Sequence, residues 1–253
     1  MNEKQKVVLV TGSSRGIGRG IALEMARQGY AVVVHGSADS AHLFSAYEEV
    51  AQLSPASIRV VADLFVSSSI RDMFDVVRSA FCGLDALVNN AAVQNPGSIT
   101  EIKESDWDRV LSVNLKAPFL CAQQAVPLMQ SRGGGKIVNI SSVHATDPRR
   151  NYAHYSCAKA GLEMLTKCMA LELAPYGIQA NSIVVGAIGT ELTPPERQAI
   201  VLPAVPAQRI GAIEEIARLV TFLCSHSCDY MTGASIAVDG GLTLGFCASR
   251  PEL

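Results

Sequence analysis

Tyr155 and Lys159, in the run Tyr155-Ser156-Cys157-Ala158-Lys159, stand at the spacing that puts two side chains on one face of a helix. A phenol ionises near pH ~10, too high for acid or base work at neutral pH, and an ammonium beside it favours the phenolate. Such a pair could shuttle a proton. The spacing also arises by chance in many helices, so its neighbours must give it meaning. One is Ser141-Ser142, which follows the strand-like run Lys136 to Ile140 and offers a hydroxyl able to hold a substrate oxygen.

A second constellation suits phosphate. Thr11-Gly12-Ser13-Ser14-Arg15-Gly16-Ile17-Gly18 comes directly after the run Val7-Val8-Leu9-Val10. Glycines there permit a tight turn and let a diphosphate approach the free amides of the following helix. The end of the second strand reports on the cofactor, because a carboxylate there bonds both ribose hydroxyls and repels a 2′-phosphate. That place reads His35-Gly36-Ser37, with no acid, while Arg15 in the turn could pair with an extra phosphate. The residues favour NADP(H); NAD(H) stays open, because a small backbone shift would bring Asp39 to the ribose. Asp63-Leu64 and Asn89-Asn90-Ala91-Ala92 follow the third and fourth strands at the same sheet edge. Asp63 could contact adenine or cap a helix, and Asn89 and Asn90 read as a turn-stabilising pair rather than as direct chemistry.

The elements that must position these residues alternate. Apolar runs at Val7 to Val10, Ala31 to Val34, Ile58 to Val61, Leu84 to Val88, Lys136 to Ile140, Gln179 to Val184 and Ser235 to Val238 are separated by helical stretches, the first from Ile17 to Gln28. Strands without polar alternation are covered on both faces, which predicts an α/β fold with a parallel sheet and helices on either side. Ser105, before Asp106-Trp107-Asp108, reads as the cap of a helix that carries Asn114. Pro175 and Gly177 close a long helix from about Tyr152. Pro194, Pro195, Pro203 and Pro206 break the segment from Gly189 to Arg209, as a lid would. No linker or repeat intervenes, so residues 1–253 read as a single domain.

Composition narrows the function classes. In 253 residues, 49% are hydrophobic, 17% are charged and the formal net charge is −2, enough apolar material for a core and no basic face for nucleic acid. No apolar run approaches the roughly 18 to 20 residues of a membrane span, and the start is too short for a signal peptide, so a cytoplasmic protein is expected. Seven cysteines scattered through apolar neighbourhoods suit reduced thiols. Cys224-Ser225-His226-Ser227-Cys228 lacks a fourth ligand for a closed metal site and reads as a helix end with buried thiols.

From Val7 to about Thr243 the sequence resembles the short-chain dehydrogenase/reductase family. The glycine turn Thr11 to Gly18, Asn89-Asn90-Ala91, Asn114, Ser142, Tyr155, Lys159 and the segment from Thr232-Gly233 to Asp239-Gly240-Gly241 fall in the family's order and spacing. The resemblance implies a Rossmann-type doubly wound sheet of seven parallel strands. It implies a catalytic tetrad of Asn114, Ser142, Tyr155 and Lys159, in which Tyr155 is the general acid or base and Ser142 positions the substrate oxygen. Lys159 would bond the nicotinamide ribose and lower the pKa of Tyr155, and Asn114 would hold a water linking Lys159 to solvent. Gly12, Ser14, Arg15, Gly16, Ile17, Gly18, Ser37, Asp63, Leu64, Asn90, Ala91, Ile188 and Thr190, with Tyr155 and Lys159, would bind the cofactor. Two positions depart from the pattern. Ala92 replaces a glycine, and Val185 stands where Pro-Gly is usual, which frees an amide and loosens a dihedral beside Ile188 and Thr190.

Within the family, Ser142-Val143-His144, His154-Tyr155 and Gly186-Ala187-Ile188 look like the branch of glucose 1-dehydrogenases and related sugar or polyol enzymes. His144, Asn95, Arg149, Arg150 and Asn151 could offer donors to substrate hydroxyls or could be solvated loop residues. The same core resembles 3-oxoacyl-thioester reductases, and Ile200, Val201, Leu202 and Val205 give the lid an apolar character that suits that alternative. A nicotinamide-sensing regulator is a third reading, against which the intact tetrad speaks. The resemblance further implies a homotetramer through the helices from Ser105 and Tyr152 and the last strand region. The tail from Gly245 to Leu253, with Phe246 and Cys247, would reach a neighbouring pocket or fray.

Overall fold

The computed structural model describes residues 5–191 and 193–244, so the tail with Phe246 and Cys247 lies outside the described residues. Seven strands, β1 (Val7–Val10), β2 (Ala31–Gly36), β3 (Ile58–Val61), β4 (Ala86–Asn89), β5 (Gly135–Ser142), β6 (Ile178–Val185) and β7 (Ser235–Val238), form one sheet. Their order is β3-β2-β1-β4-β5-β6-β7, and every neighbouring pair is parallel. The order reverses between β1 and β4, where a doubly wound sheet opens a crevice at its carboxyl edge.

The alternation of β1 shows why the strands read as unbroken apolar runs. Val8 and Val10 face one core with α1 (Gly16–Arg27), α2 (Ala41–Leu53) and α8 (Ile213–Leu223). Val7 and Leu9 face the other with α3 (Ser67–Phe81), α5 (Ala117–Gln130) and α6 (Ala153–Leu173). Each face is dry, so both strand faces must be hydrophobic.

Several boundaries correct the sequence reading. Ser105 lies inside α4 (Glu104–Leu111), whose N-cap Lys103 makes no side-chain cap, and Glu104 and Asp106 supply the first-turn charge. Asp63 does not cap α3, which starts after Val66; its carboxylate accepts from the Phe65 amide at 3.1 Å. Val185 does not loosen the chain, because it extends β6 in register with Ser142 on one side and Val238 on the other. Pro175 and Gly177 end α6 as expected, with Gly177 in the left-handed region at φ 69°. Cys224 caps α8 and Cys228 follows in a short turn, both buried, and burial pushes the Cys224 thiol up to about 12.

Candidate active site

The glycine turn joins β1 to α1 and is built from backbone. A Cβ at Gly12, whose φ is 65°, would come within 2.8 Å of Ala91 Cα, and one at Gly18 within 2.3 Å of the Gly12 carbonyl oxygen. Only hydrogen fits at either place. Asn90 holds the turn from β4, its carboxamide donating to the carbonyls of Thr11 at 2.9 Å and Gly12 at 3.1 Å. Asn89 instead ties β4 to β5 by donating to Asn139 at 2.8 Å. Both asparagines therefore brace the frame, Asn90 at the glycine turn and Asn89, unlike the turn pair expected, between two strands.

His35 completes the bracing, a use its place at the end of β2 did not disclose. Its Nδ1 accepts the Gly12 amide at 2.9 Å, its Nε2 donates to the Ala62 carbonyl at 2.9 Å, and its backbone amide and carbonyl bond Ser13. Burial pushes the imidazole down to about 4, so it is neutral and keeps the acceptor that Gly12 needs. Only the parallel pairing of β1 with β2 brings His35 to a turn 23 residues earlier in the chain.

These residues fit a dinucleotide. The first turn of α1 has no side-chain cap, because its N-cap is the exposed Arg15 in an extended conformation, so its amides remain free for an anion. Gly16 at the head of the helix stands below Thr190, whose Cγ2 would lie 3.8 Å from an added Cβ, so the segment after β6 closes over the turn. Ser14 is half-buried beside Arg15, and Ile17 packs on the core below. Ser37 is exposed at the end of β2, and Asp39 is paired with Arg59 of β3. Leu64 and Ile188 bury their side chains in the two cores, so any polar contact they make to a cofactor comes from backbone.

At the other end of the edge, α6 brings Tyr155 and Lys159 together with Ser142 at the end of β5. The Lys159 Nζ lies 5.7 Å from the centre of the Tyr155 ring and donates to the Ile140 carbonyl at 2.7 Å. Both side chains are buried, and the cost of a dry charge pushes Lys159 down to about 8. Burial likewise raises the Tyr155 hydroxyl above its usual value, against hydrogen bonds from Gln94 and Ser142 that lower it. Gln94, in the loop after β4, is a contact the sequence reading missed.

Asn114 sits in a π-helical turn, Ser112–Lys116, between α4 and α5. The extra residue turns its carboxamide onto the loop after β4, donating to Val93 O at 2.9 Å and accepting from the Val93 amide at 3.3 Å, with a second donation back to Val110 O of α4 at 2.9 Å. It thus fixes the loop that carries Gln94. His154, with no exposed surface, pins the same loop by donating to Asn95 O at 2.8 Å. His144 and Tyr152 stand beside Tyr155, their ring centres 6.3 Å from its own.

Comparison with known proteins agrees with this geometry. A family model described as enoyl-(acyl carrier protein) reductase matches residues 12–243. The 3-oxoacyl-[acyl-carrier-protein] reductase FabG of Staphylococcus aureus is 38% identical over 240 residues, covering 94% of this chain and 98% of the relative. Among solved structures, a candidate gluconate dehydrogenase from Agrobacterium tumefaciens superposes with a TM-score of 0.90 at 36% identity, over 95% of this chain and 97% of that one. A short-chain type dehydrogenase/reductase from Mycobacterium marinum does so with a TM-score of 0.88 at 33% identity, over 95% and 96%. Shared over nearly the full length in both sequence and fold, these likenesses make the chain a member of the short-chain dehydrogenase/reductase family of oxidoreductases.

Proposed function

We propose that the chain is an NADP(H)-preferring oxidoreductase acting on a carbonyl or secondary alcohol of a sugar or polyol, with Asn114, Ser142, Tyr155 and Lys159 as its catalytic group. The observation that carries this reading is the buried Tyr155 hydroxyl, met by Ser142 and Gln94 and flanked by the Lys159 amine, on the same sheet edge as the glycine turn. Bound nicotinamide would supply a hydride in reduction and take one up in oxidation. Tyr155 Oη gives the proton to the nascent alkoxide in one direction and removes it from the alcohol in the other. Ser142 holds the reacting oxygen. Lys159 lends charge to the phenolate, and Asn114 keeps the adjoining loop in place.

The glycine turn with Gly12, Ser14, Gly16, Ile17 and Gly18 would cradle the diphosphate, and Asp63, Leu64, Asn90 and Ala91 would border the adenosine and its ribose. Ile188 and Thr190 would border the carboxamide under a lid spanning 189–209. Arg15 and Ser37 carry the NADP(H) preference, because the glycine turn holds a cation, the end of β2 holds a hydroxyl, and Asp39 is already paired with Arg59. NAD(H) is the alternative. The S. aureus relatives and the exposed Ile200 of the lid favour a second reading, reduction of a 3-oxoacyl thioester.

The chain would act in the cytoplasm as a homotetramer; no helix among the described residues is long and apolar enough to cross a membrane. Apolar side chains exposed on α5 and α6, Phe119 at 47% and Leu171 at 81%, support such an assembly. So does a groove of about 600 Å³ lined by Phe65, Leu115, Phe119 and Leu165.

The deciding experiment follows NADPH and NADH consumption, and the reverse reaction, over ketones, sugars, polyols and acyl thioesters. NADPH should be preferred, and sugars or polyols, neutral or carrying an acid group, should be turned over faster than acyl thioesters. A tenfold preference for NADH would contradict the cofactor assignment, and thioesters alone as substrates would replace the main reading by the second.

A further inference from the structure

The loop between β5 and α6 holds a cation whose place the hydride-transfer chemistry does not explain. The guanidinium of Arg149 lies 5.0 Å from the centre of the Tyr152 ring, and that ring is 6.3 Å from Tyr155. Arg149 is also close enough to His144 to act on its charge. These two neighbours place the exposed guanidinium beside the rings that flank Tyr155. Among the described residues no carboxylate forms an ion pair with it. The acid of this loop, Asp147, accepts instead from the Thr146 hydroxyl at 2.8 Å. A cation kept on an aromatic face without a counter-ion is poised for an anion that arrives with the substrate.

Two polar groups beside Tyr155, His144 and Gln94, have unused valences. His144 is held neutral by burial, and its Nδ1 is directed at the Asp147 carbonyl at 3.1 Å, which leaves Nε2 as an acceptor. Gln94 enters from the facing loop with a carboxamide that both donates and accepts. An acyl chain would desolvate these groups without replacing their hydrogen bonds.

We propose that Arg149 determines substrate specificity by binding the carboxylate of a hydroxy or oxo acid, whose reacting carbon lies at Tyr155 and whose further hydroxyls meet His144 and Gln94. The inference rests on the oxidoreductase reading above. In oxidation the alcohol carbon loses a hydride to the oxidised nicotinamide and its hydroxyl proton passes to Tyr155, leaving a carbonyl; the carboxylate is untouched. The guanidinium stands one ring removed from Tyr155, 5.0 Å from the centre of the Tyr152 ring that is itself 6.3 Å from that of Tyr155. That suits a carboxylate within the same small molecule, whereas the phosphate of a pantetheine arm stands many bonds from its thioester.

Matched probes test this: D-gluconate against D-glucitol, and 3-hydroxybutanoate against 2-butanol, with acetoacetyl-CoA as the thioester arm, each assayed on the wild-type, Arg149→Met and Arg149→Lys chains. The wild-type kcat/KM should favour a carboxylate over its neutral partner by roughly tenfold or more, the range of a charge-assisted hydrogen bond. Arg149→Met should collapse that ratio at least tenfold through KM, Arg149→Lys should recover part of it, and cofactor Kd should be the same in all three. Equal losses on charged and neutral probes would overturn the inference. So would a wild-type enzyme that turns over neutral alcohols or the thioester and no carboxylate, with the oxidoreductase reading left intact. Tight cofactor binding without turnover in any arm would remove that reading and this inference together.

Discussion

The amine of Lys159 is held 5.7 Å from the centre of the Tyr155 ring, while its Nζ is anchored to the Ile140 carbonyl of β5. Helical spacing accounts for the first distance and the strand for the second. The anchor matters because a free lysine would swing to solvent and lose its effect on the phenol. Burial alone would keep Tyr155 protonated at neutral pH, since it raises the hydroxyl above its ordinary value. Gln94 and Ser142 offset part of that rise, and the role proposed for the Lys159 cation is to offset more of it.

Lys159 is charged below about 8 and neutral above it, so its help to the phenolate is present below that pH and fades above. Lys159→Met removes the charge at every pH. In alcohol oxidation, kcat/KM should fall by roughly a hundredfold and the rising limb of its pH profile should move up by about one unit or more. An unmoved limb in a folded variant would mean that the amine only fills space.

His35 makes stability depend on acid. Its pKa is about 4 in the folded chain against 6.5 when unperturbed, so the unfolded chain binds the extra proton between those values. Stability should therefore rise with pH from about 4 to 6.5 and fall as the solution is acidified, by on the order of 3 kcal/mol across the window. Urea unfolding at stepped pH checks this. A His35→Asn chain, which keeps a hydrogen-bonding side chain and has no ionisable ring, should show a flatter profile.

Gly18→Ala puts a methyl group against the Gly12 carbonyl and the Asn90 carboxamide, at 2.3 Å and 2.4 Å before any relaxation. The turn must open to admit it. Cofactor Kd, followed by fluorescence titration, should weaken tenfold or more, with a smaller loss of thermal stability. Unaltered cofactor affinity would move the diphosphate away from this turn.

The parallel sheet was legible because every strand buries both faces, as the apolar runs of β1 and β2 display. Strand ends were less so: β5 continues through Ser141 and Ser142, since parallel pairing with β6 extends past the apolar stretch. Tyr155 and Lys159 could be paired from helical spacing alone. Gln94 could not, because it reaches Tyr155 from a loop whose path is set by Asn114 and His154, contacts between residues far apart in the chain. The cap assigned to Ser105 failed because the helix begins one residue earlier, on Glu104.

The most direct measurement of the central claim compares Tyr155→Phe with the wild-type chain for cofactor Kd and for single-turnover hydride transfer on the best substrate. Loss of one hydroxyl from a buried ring should leave Kd within about threefold and slow the transfer by roughly a hundredfold to ten-thousandfold. Hydride transfer at near the wild-type rate, with cofactor still bound, would show that the proton travels by a route other than Tyr155.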